Sequence, residues 1–184
     1  MPRLMAFALT EQQMLDKTKT VTRRRGWSFL KEGDTLYAVN KTMGFKKGEK
    51  PSRLGMIRVV SVTSEPLNRI TPDDVVKEGF TDWTPAQFIE MVVNHYNIQP
   101  SEVFNRIEFE HIESFQPSNG NLGAVFFNAA CMNCKKLKNG YCRIQAETMF
   151  FNKGDPNYPW QWQQNSKGEA WCAAFKDKAA GGAA

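Results

Sequence analysis

No stretch of the 184-residue chain approaches the ~20 consecutive apolar residues of a bilayer-spanning helix. The start, Met1-Pro-Arg-Leu-Met-Ala-Phe-Ala-Leu-Thr10, is apolar only briefly before Glu11 and lacks a small-residue cleavage site. It reads as a first strand rather than a secretory signal. A cytoplasmic protein with no membrane partner is expected. No internal repeat is present, which sets aside solenoids and arrays. Histidine is scarce, at two residues, and cysteine is absent before position 131. With 41 % hydrophobic residues and 13 glycines, a packed core is feasible and global disorder is not expected.

The net charge of +5 hides an asymmetry. Residues 1–70 carry 14 Lys/Arg against 6 Asp/Glu, residues 71–113 carry 2 against 9, and residues 114–184 carry 8 against 4. A basic front beside an acidic block suggests one face that attracts phosphate and a separate solvated face. Scattered solubilising charge is the plainer alternative.

Leu4–Leu9 is a candidate strand, followed by a short helix around Glu11–Lys17. Thr18–Arg25 suits a loop entering a strand. Gly33-Asp34 signals a turn before a strand over Thr35–Asn40. Residues 41–53 form a basic Gly/Pro loop, and the Ile/Val-rich Leu54–Thr63 is a strand. Thr71-Pro72-Asp73-Asp74 combines an N-cap, proline at the first helical position and early acids, with Gly79 as the stop. Thr84-Pro85-Ala86-Gln87 is a capping box, opening a helix that places Phe88, Met91, Val92 and Tyr96 on one face. Val103–Ile112 alternates as a half-buried strand. This order predicts an α+β fold with a mainly antiparallel, barrel-like sheet and helices over one opening. Gln116-Pro-Ser-Asn-Gly-Asn121 reads as a linker. The expected organisation is a first domain over 1–113, a linker over 114–127, a cysteine-bearing module over 128–176 and a disordered tail over 177–184.

The densest chemistry lies in Lys17-Thr18-Lys19-Thr20-Val21-Thr22-Arg23-Arg24-Arg25. In an extended segment alternate side chains share a face, so Thr20, Thr22 and Arg24 project together with Lys19 at the loop entering them. A hydroxyl is a weak nucleophile until a base takes its proton, and an amine whose pKa is lowered by neighbouring cations can be that base. The alternative is a basic strand edge that binds phosphates without reaction. Trp27, Phe29, Tyr37 and Phe45 lie among these cations and could stack on a base, or simply pack in the core.

Residues 1–113 resemble the ASCH family, a relative of the PUA fold. Its signature near the first helix reads Gly-x-Lys-x-x-Glu-x-Arg, and this chain has Lys19-x-x-Thr22-x-Arg24 with Lys17 in the glycine position. Gly33-Asp34 and Ile107-Glu108-Phe109 also fall where that family has them. The resemblance implies a small PUA-like β-barrel. Threonine in place of the signature glutamate resembles the branch that hydrolyses N4-acetylcytidine to cytidine and acetate. It implies Thr22 as nucleophile, Lys19 as its activator and Glu78 as acid or base, with Glu65, Asp73 and Asp74 as rivals to Glu78. Arg24, Arg23 and Trp27 are the expected substrate-binding residues. The competing reading is a non-catalytic reader of RNA or modified nucleic acid in the same cleft.

The cysteines are Cys131-Met-Asn-Cys134, Cys142 and Cys172. A cytoplasmic chain that gathers every cysteine in one short segment is expected to bind metal rather than form disulfides. Four thiolates close a tetrahedral zinc site (structural Zn2+), and the same ligands could hold a [4Fe–4S] cluster. The second C-x2-C of a zinc ribbon is missing. His95 and His111 are expected to be ordinary surface or core residues. Trp160, Trp162, Trp171 and Phe175 should pack around the metal, or present a binding surface beside Lys135, Lys136 and Lys138.

Overall fold

A computed structural model describes residues 2–116, 121–155 and 157–179. The chain divides into two compact units, Met1–His111 and Ile112–Ala184. Among the described residues no helix is long and apolar enough to cross a membrane.

In the first unit, β1 (Arg3–Ala6) leads through a 3-10 turn into the short helix α1 (Glu11–Leu15). The chain then forms β2 (Val21–Arg24), β3 (Thr35–Val39) and the long β4 (Arg53–Pro66). Helices α2 (Pro72–Lys77) and α3 (Pro85–Tyr96) precede β5 (Val103–Ser114). Strand β1 runs parallel to β3, and β3 is antiparallel to β4. Strand β5 lies next to β4 and also pairs antiparallel with β2, Thr22 opposite Ile107.

The expected α+β order is present, but the expected barrel is not: the sheet is open. Strand β1 pairs with β3 and β2 with β5, and no backbone ladder joins β1 to β2 among the described residues. A side chain bridges the two instead, because Arg24 on β2 donates from Nη2 to the Ala6 carbonyl at the end of β1.

Both helix starts form as their sequences require. The Thr71 hydroxyl accepts from the Asp74 N–H at 3.2 Å, and Thr84 and Gln87 form the reciprocal capping box. Helix α2 stops because Gly79 follows with φ +93°, the left-handed geometry that ends helices. Two apolar clusters hold the unit. Met5, Phe7, Met14, Leu36, Ile57, Ile107 and Phe109 pack within the sheet, with Phe7 edge-on to Phe109 at 6.0 Å. Leu67, Ile70, Val75, Phe88, Val92 and Phe104 pack beneath α2 and α3. Each of these large buried side chains contributes about 1.5–3 kcal/mol.

In the second unit the last residues of β5, Ile112–Ser114, pair with β6 (Trp162–Asn165), and β6 pairs with β7 (Ala170–Cys172). Helix α4 (Asn121–Phe126) runs into a π-helical turn (Phe127–Cys131), and α5 spans Arg143–Phe150. The stretch expected as a linker over 114–127 thus carries a helix. Its aromatics explain this: Phe115 stacks near Phe126 at 4.9 Å, and Phe126 meets Trp162 edge-on at 4.9 Å. Residues 117–120 lie outside the described residues. Of the expected disordered tail, residues 180–184 also lie outside them, while Lys178 is tied by its N–H to the Asn133 carbonyl at 2.9 Å.

Candidate active site

Thr20 is fixed from both sides before β2 begins. Its N–H donates to the Lys77 carbonyl at 2.8 Å, and its carbonyl accepts from the Phe109 N–H at 2.9 Å. The first contact ties the loop carrying Lys19 to the end of α2. Lys17 takes the left-handed conformation at φ 58°, which is why a glycine suits that position. His111 Nε2 lies 2.7 Å from the Lys19 carbonyl and holds the same backbone from β5. Two residues on, β2 buries Val21, Thr22 and Arg23 together, so strict in–out alternation does not apply there.

This anchoring brings Lys19 to Glu78, the C-cap residue of α2. Lys19 Nζ donates both to Glu78 Oε2 and, at 2.8 Å, to the Glu78 carbonyl. Each side chain is only 3 % exposed. Burial lowers the Lys19 pKa most strongly; Glu78 opposes the fall, and the charges of Arg24 and Arg23 add to it. Of the acidic candidates, Glu78 is therefore the one at the amine. Glu65 and Asp74 face Arg23 instead, and Asp73 is exposed.

Arg23 is not turned to solvent. Its guanidinium donates to Glu78 at 3.2 Å, to Glu65 at 2.6 Å and to Asp74. Asp74 in turn accepts from Arg106 at 2.9 and 3.0 Å, and Arg106 reaches Glu108 at 3.0 Å. Burial works against ionisation of Asp74, but the hydrogen bonds from Arg106 and Arg23 outweigh it and hold its pKa at about 2. Part of the acidic block thus meets the basic front, while Asp73, Asp82, Glu90 and Glu113 stay exposed. Asp74, Glu78 and Glu108 turn inward to meet Arg23, Lys19 and Arg106.

Thr22 stands beside this network. Its Oγ1 accepts from Arg24 Nε at 3.2 Å, and the Arg24 guanidinium also lies 4.9 Å from the Phe7 ring centroid. Burial lowers the Arg24 pKa, yet an arginine stays charged at any working pH. Among the described residues no hydrogen bond joins Lys19 to Thr22. What unites them is a cavity of about 270 Å³ with Lys19, Thr22, Arg23, Arg24 and Glu78 in its wall. The remaining wall is largely apolar, from Phe7 and Leu9 near β1 and Phe88, Met91 and Val92 on α3.

The aromatics singled out beside the basic residues are elsewhere. Trp27 packs on Phe29 at 5.5 Å and on the first apolar cluster, Tyr37 is buried under Arg53, and Phe45 lies beside Lys41. None of them lines the cavity, Trp27 included. Phe80, His95 and Tyr96 are there instead. The helical period that put Tyr96 with Phe88 and Val92 was the available signal for it. For His95 no local pattern gave one.

Comparisons with known proteins add little. No family model matches the chain, and no curated protein matches it. A solved structure of protein EF3133 from Enterococcus faecalis V583, described as DUF984, is similar at 18 % identity and a TM-score of 0.42. The match covers 60 % of this chain and 80 % of that one.

The second unit holds all four cysteines as free thiols. Cys131, Cys134, Cys142 and Cys172 line one small cavity of about 20 Å³, together with Lys136, Trp162 and Phe175. Burial, with lesser contributions from the other three thiols, pushes Cys131 up to about 11. Among the described residues no group of three or more His, Cys, Asp or Glu side chains is already set as a metal-ligand cluster.

Proposed function

We propose that the first unit is an amidohydrolase that removes the acyl group from N4-acetylcytidine or a related modified nucleoside. The observation that carries this reading is the buried Lys19–Glu78 pair opening, with Thr22 and Arg24, on one apolar-walled cavity. A cavity of about 270 Å³ suits a base-sized ligand better than a polymer. The cations in its wall also favour a neutral ligand. Lys19 and Arg23 are already committed to carboxylates, which leaves Arg24 as the one cation in the wall without a carboxylate partner among the described residues. A reader that grips phosphates would need those charges free.

In this mechanism Lys19 passes a proton to Glu78, and its neutral amine then takes the Thr22 hydroxyl proton as Oγ1 attacks the acyl carbon. The Arg24 N–H that now donates to Thr22 stabilises the developing oxyanion. Collapse breaks the C–N bond, and the proton held by Glu78 goes to the departing exocyclic nitrogen. Water then attacks the Thr22 ester. Acetate leaves, the hydroxyl re-forms, and the sum is one amide and one water converted to amine and acid.

Incubation of the purified chain with N4-acetylcytidine should yield cytidine and acetate, and Thr22→Ala should abolish the reaction. Wild-type protein that binds the nucleoside without turnover would overturn the reading. So would steep loss of activity with salt, the signature of phosphate contacts.

A further inference from the structure

The second unit has few means of holding itself together. Among the described residues Phe126, Cys131 and Trp162 form its buried apolar cluster, with Ile112, Cys134 and Tyr158 also buried. Units of this size commonly need a disulfide or a metal as a staple. Disulfides are absent, since all four cysteines are free thiols.

The backbone around those thiols is arranged in two facing turns and a hairpin. The Cys134 N–H donates to the Cys131 carbonyl at 3.1 Å, and the Leu137 N–H to the Cys134 carbonyl at 3.1 Å, which makes the first turn. Opposite it, the Phe175 N–H closes on the Cys172 carbonyl at 2.9 Å. The two are laced together by the Lys135 N–H to the Lys176 carbonyl at 2.7 Å and by the Lys176 N–H to Cys134 Sγ at 3.4 Å. Cys142 arrives from a third direction. It follows the Lys138–Tyr141 pairing, whose tip has Asn139 at φ 50° and Gly140 at φ 75°.

We infer that Cys131, Cys134, Cys142 and Cys172 form a structural four-thiolate site for one zinc ion. Four thiols that line one cavity from three chain segments supply the donor set of a closed tetrahedral zinc ion with no open position. The backbone N–H aimed at Cys134 Sγ is the kind of outer hydrogen bond that orients a ligating thiolate. Lys136, in the wall of the same cavity, supplies a positive charge beside a site whose net charge would be −2. A space of about 20 Å³ is close to the ~10–15 Å³ that admits a single water, which favours one ion over a cube of four irons and four sulfides. Binding exchanges four thiol protons for the ion and involves no electron transfer.

The test uses the full chain, purified without chelators. Elemental analysis should find one zinc per chain, and a thiol reagent should react with fewer than one of the four cysteines until a strong chelator is added, and then with all four. Adding Co2+ to the stripped protein should give the visible bands of tetrahedral thiolate cobalt. Thr22→Ala should retain the zinc, which separates this inference from the proposed hydrolysis. Should Cys142→Ser fail to fold, the wild-type metal and thiol counts still decide. Visible absorption with iron and sulfide in the protein as purified, four reactive thiols without metal, or cysteines lost to disulfides would each overturn it.

Discussion

The most exposed prediction concerns Asp74 rather than the nucleophile. This carboxylate accepts from Arg106 at 2.9 and 3.0 Å and from Arg23, at the hub of the polar network. Its pKa falls from an ordinary 3.8 to about 2. At about 1.4 kcal/mol per pH unit, that difference is worth about 2 kcal/mol of stability at neutral pH. The sign follows from a folded-state pKa below the unfolded one. The stabilisation is complete above 3.8 and is lost as pH falls through about 2. Linkage places about 1 kcal/mol of that loss between pH 5 and pH 3. Urea unfolding of the wild type and Asp74→Asn at pH 7, 5, 4 and 3 reads this directly. The variant should be less stable at pH 7 by about 2 kcal/mol, with the gap closing by about half at pH 3. A gap that stays constant across this range, or no gap at pH 7, would falsify the assignment of Asp74 as the ionised partner of both arginines.

Gly79→Ala should lower stability by at least about 1–2 kcal/mol in denaturant melts, because φ +93° is costly for an L residue and the added Cβ would lie 2.6 Å from Gln13 Cγ. A neutral result would show that the turn after Glu78 is not fixed. Arg24→Lys keeps the charge but loses the planar fork that reaches Ala6 and Thr22 together. The kcat for N4-acetylcytidine should fall about 100-fold with KM little changed, and an unchanged kcat would remove Arg24 from oxyanion stabilisation. Glu78→Gln leaves Arg23 its contacts with Glu65 and Asp74 but takes the proton acceptor from Lys19. Hydrolysis should drop by about 100-fold or more while nucleoside binding persists; full activity would show that another group carries the proton.

The legible parts of this molecule were those fixed by short-range chemistry. Thr71-Pro72 and Thr84-x-x-Gln87 start α2 and α3 where their caps require, because a cap needs partners only two or three residues away. The alternation of β5 showed for the same reason. Lys19, Thr22 and Arg24 stood out because a short signature contains them. Arg23, between two of them, was expected at the substrate rather than in a network of carboxylates. Nothing within ten residues says that a middle arginine in a run of three turns inward, since its partners Glu65, Asp74 and Glu78 lie 42 to 55 positions away. The helix α4 was hidden for a related reason: strong turn residues at 117–120 masked aromatics whose partners, Phe115 and Trp162, lie on both sides of the gap.

The inward-facing charges also bear on the proton route of the proposed hydrolysis. Lys19, Lys77, Arg23 and Arg106 pair with Glu65, Asp74, Glu78 and Glu108. In a poorly solvated site, any step that changed this balance would create a buried unpaired charge, at several kcal/mol. Ionising Thr22 alone would do so, as would losing the Lys19 proton to bulk water. Moving a proton from Lys19 to Glu78, then from Thr22 to Lys19, creates only the oxygen anion that bonds to the acyl carbon, and Arg24 is the cation with no carboxylate in contact to receive it. In the proposed mechanism the Arg23–Asp74–Arg106 cluster would act by neutralising the outer side of Glu78, so that this carboxylate can take and return one proton within the cavity wall.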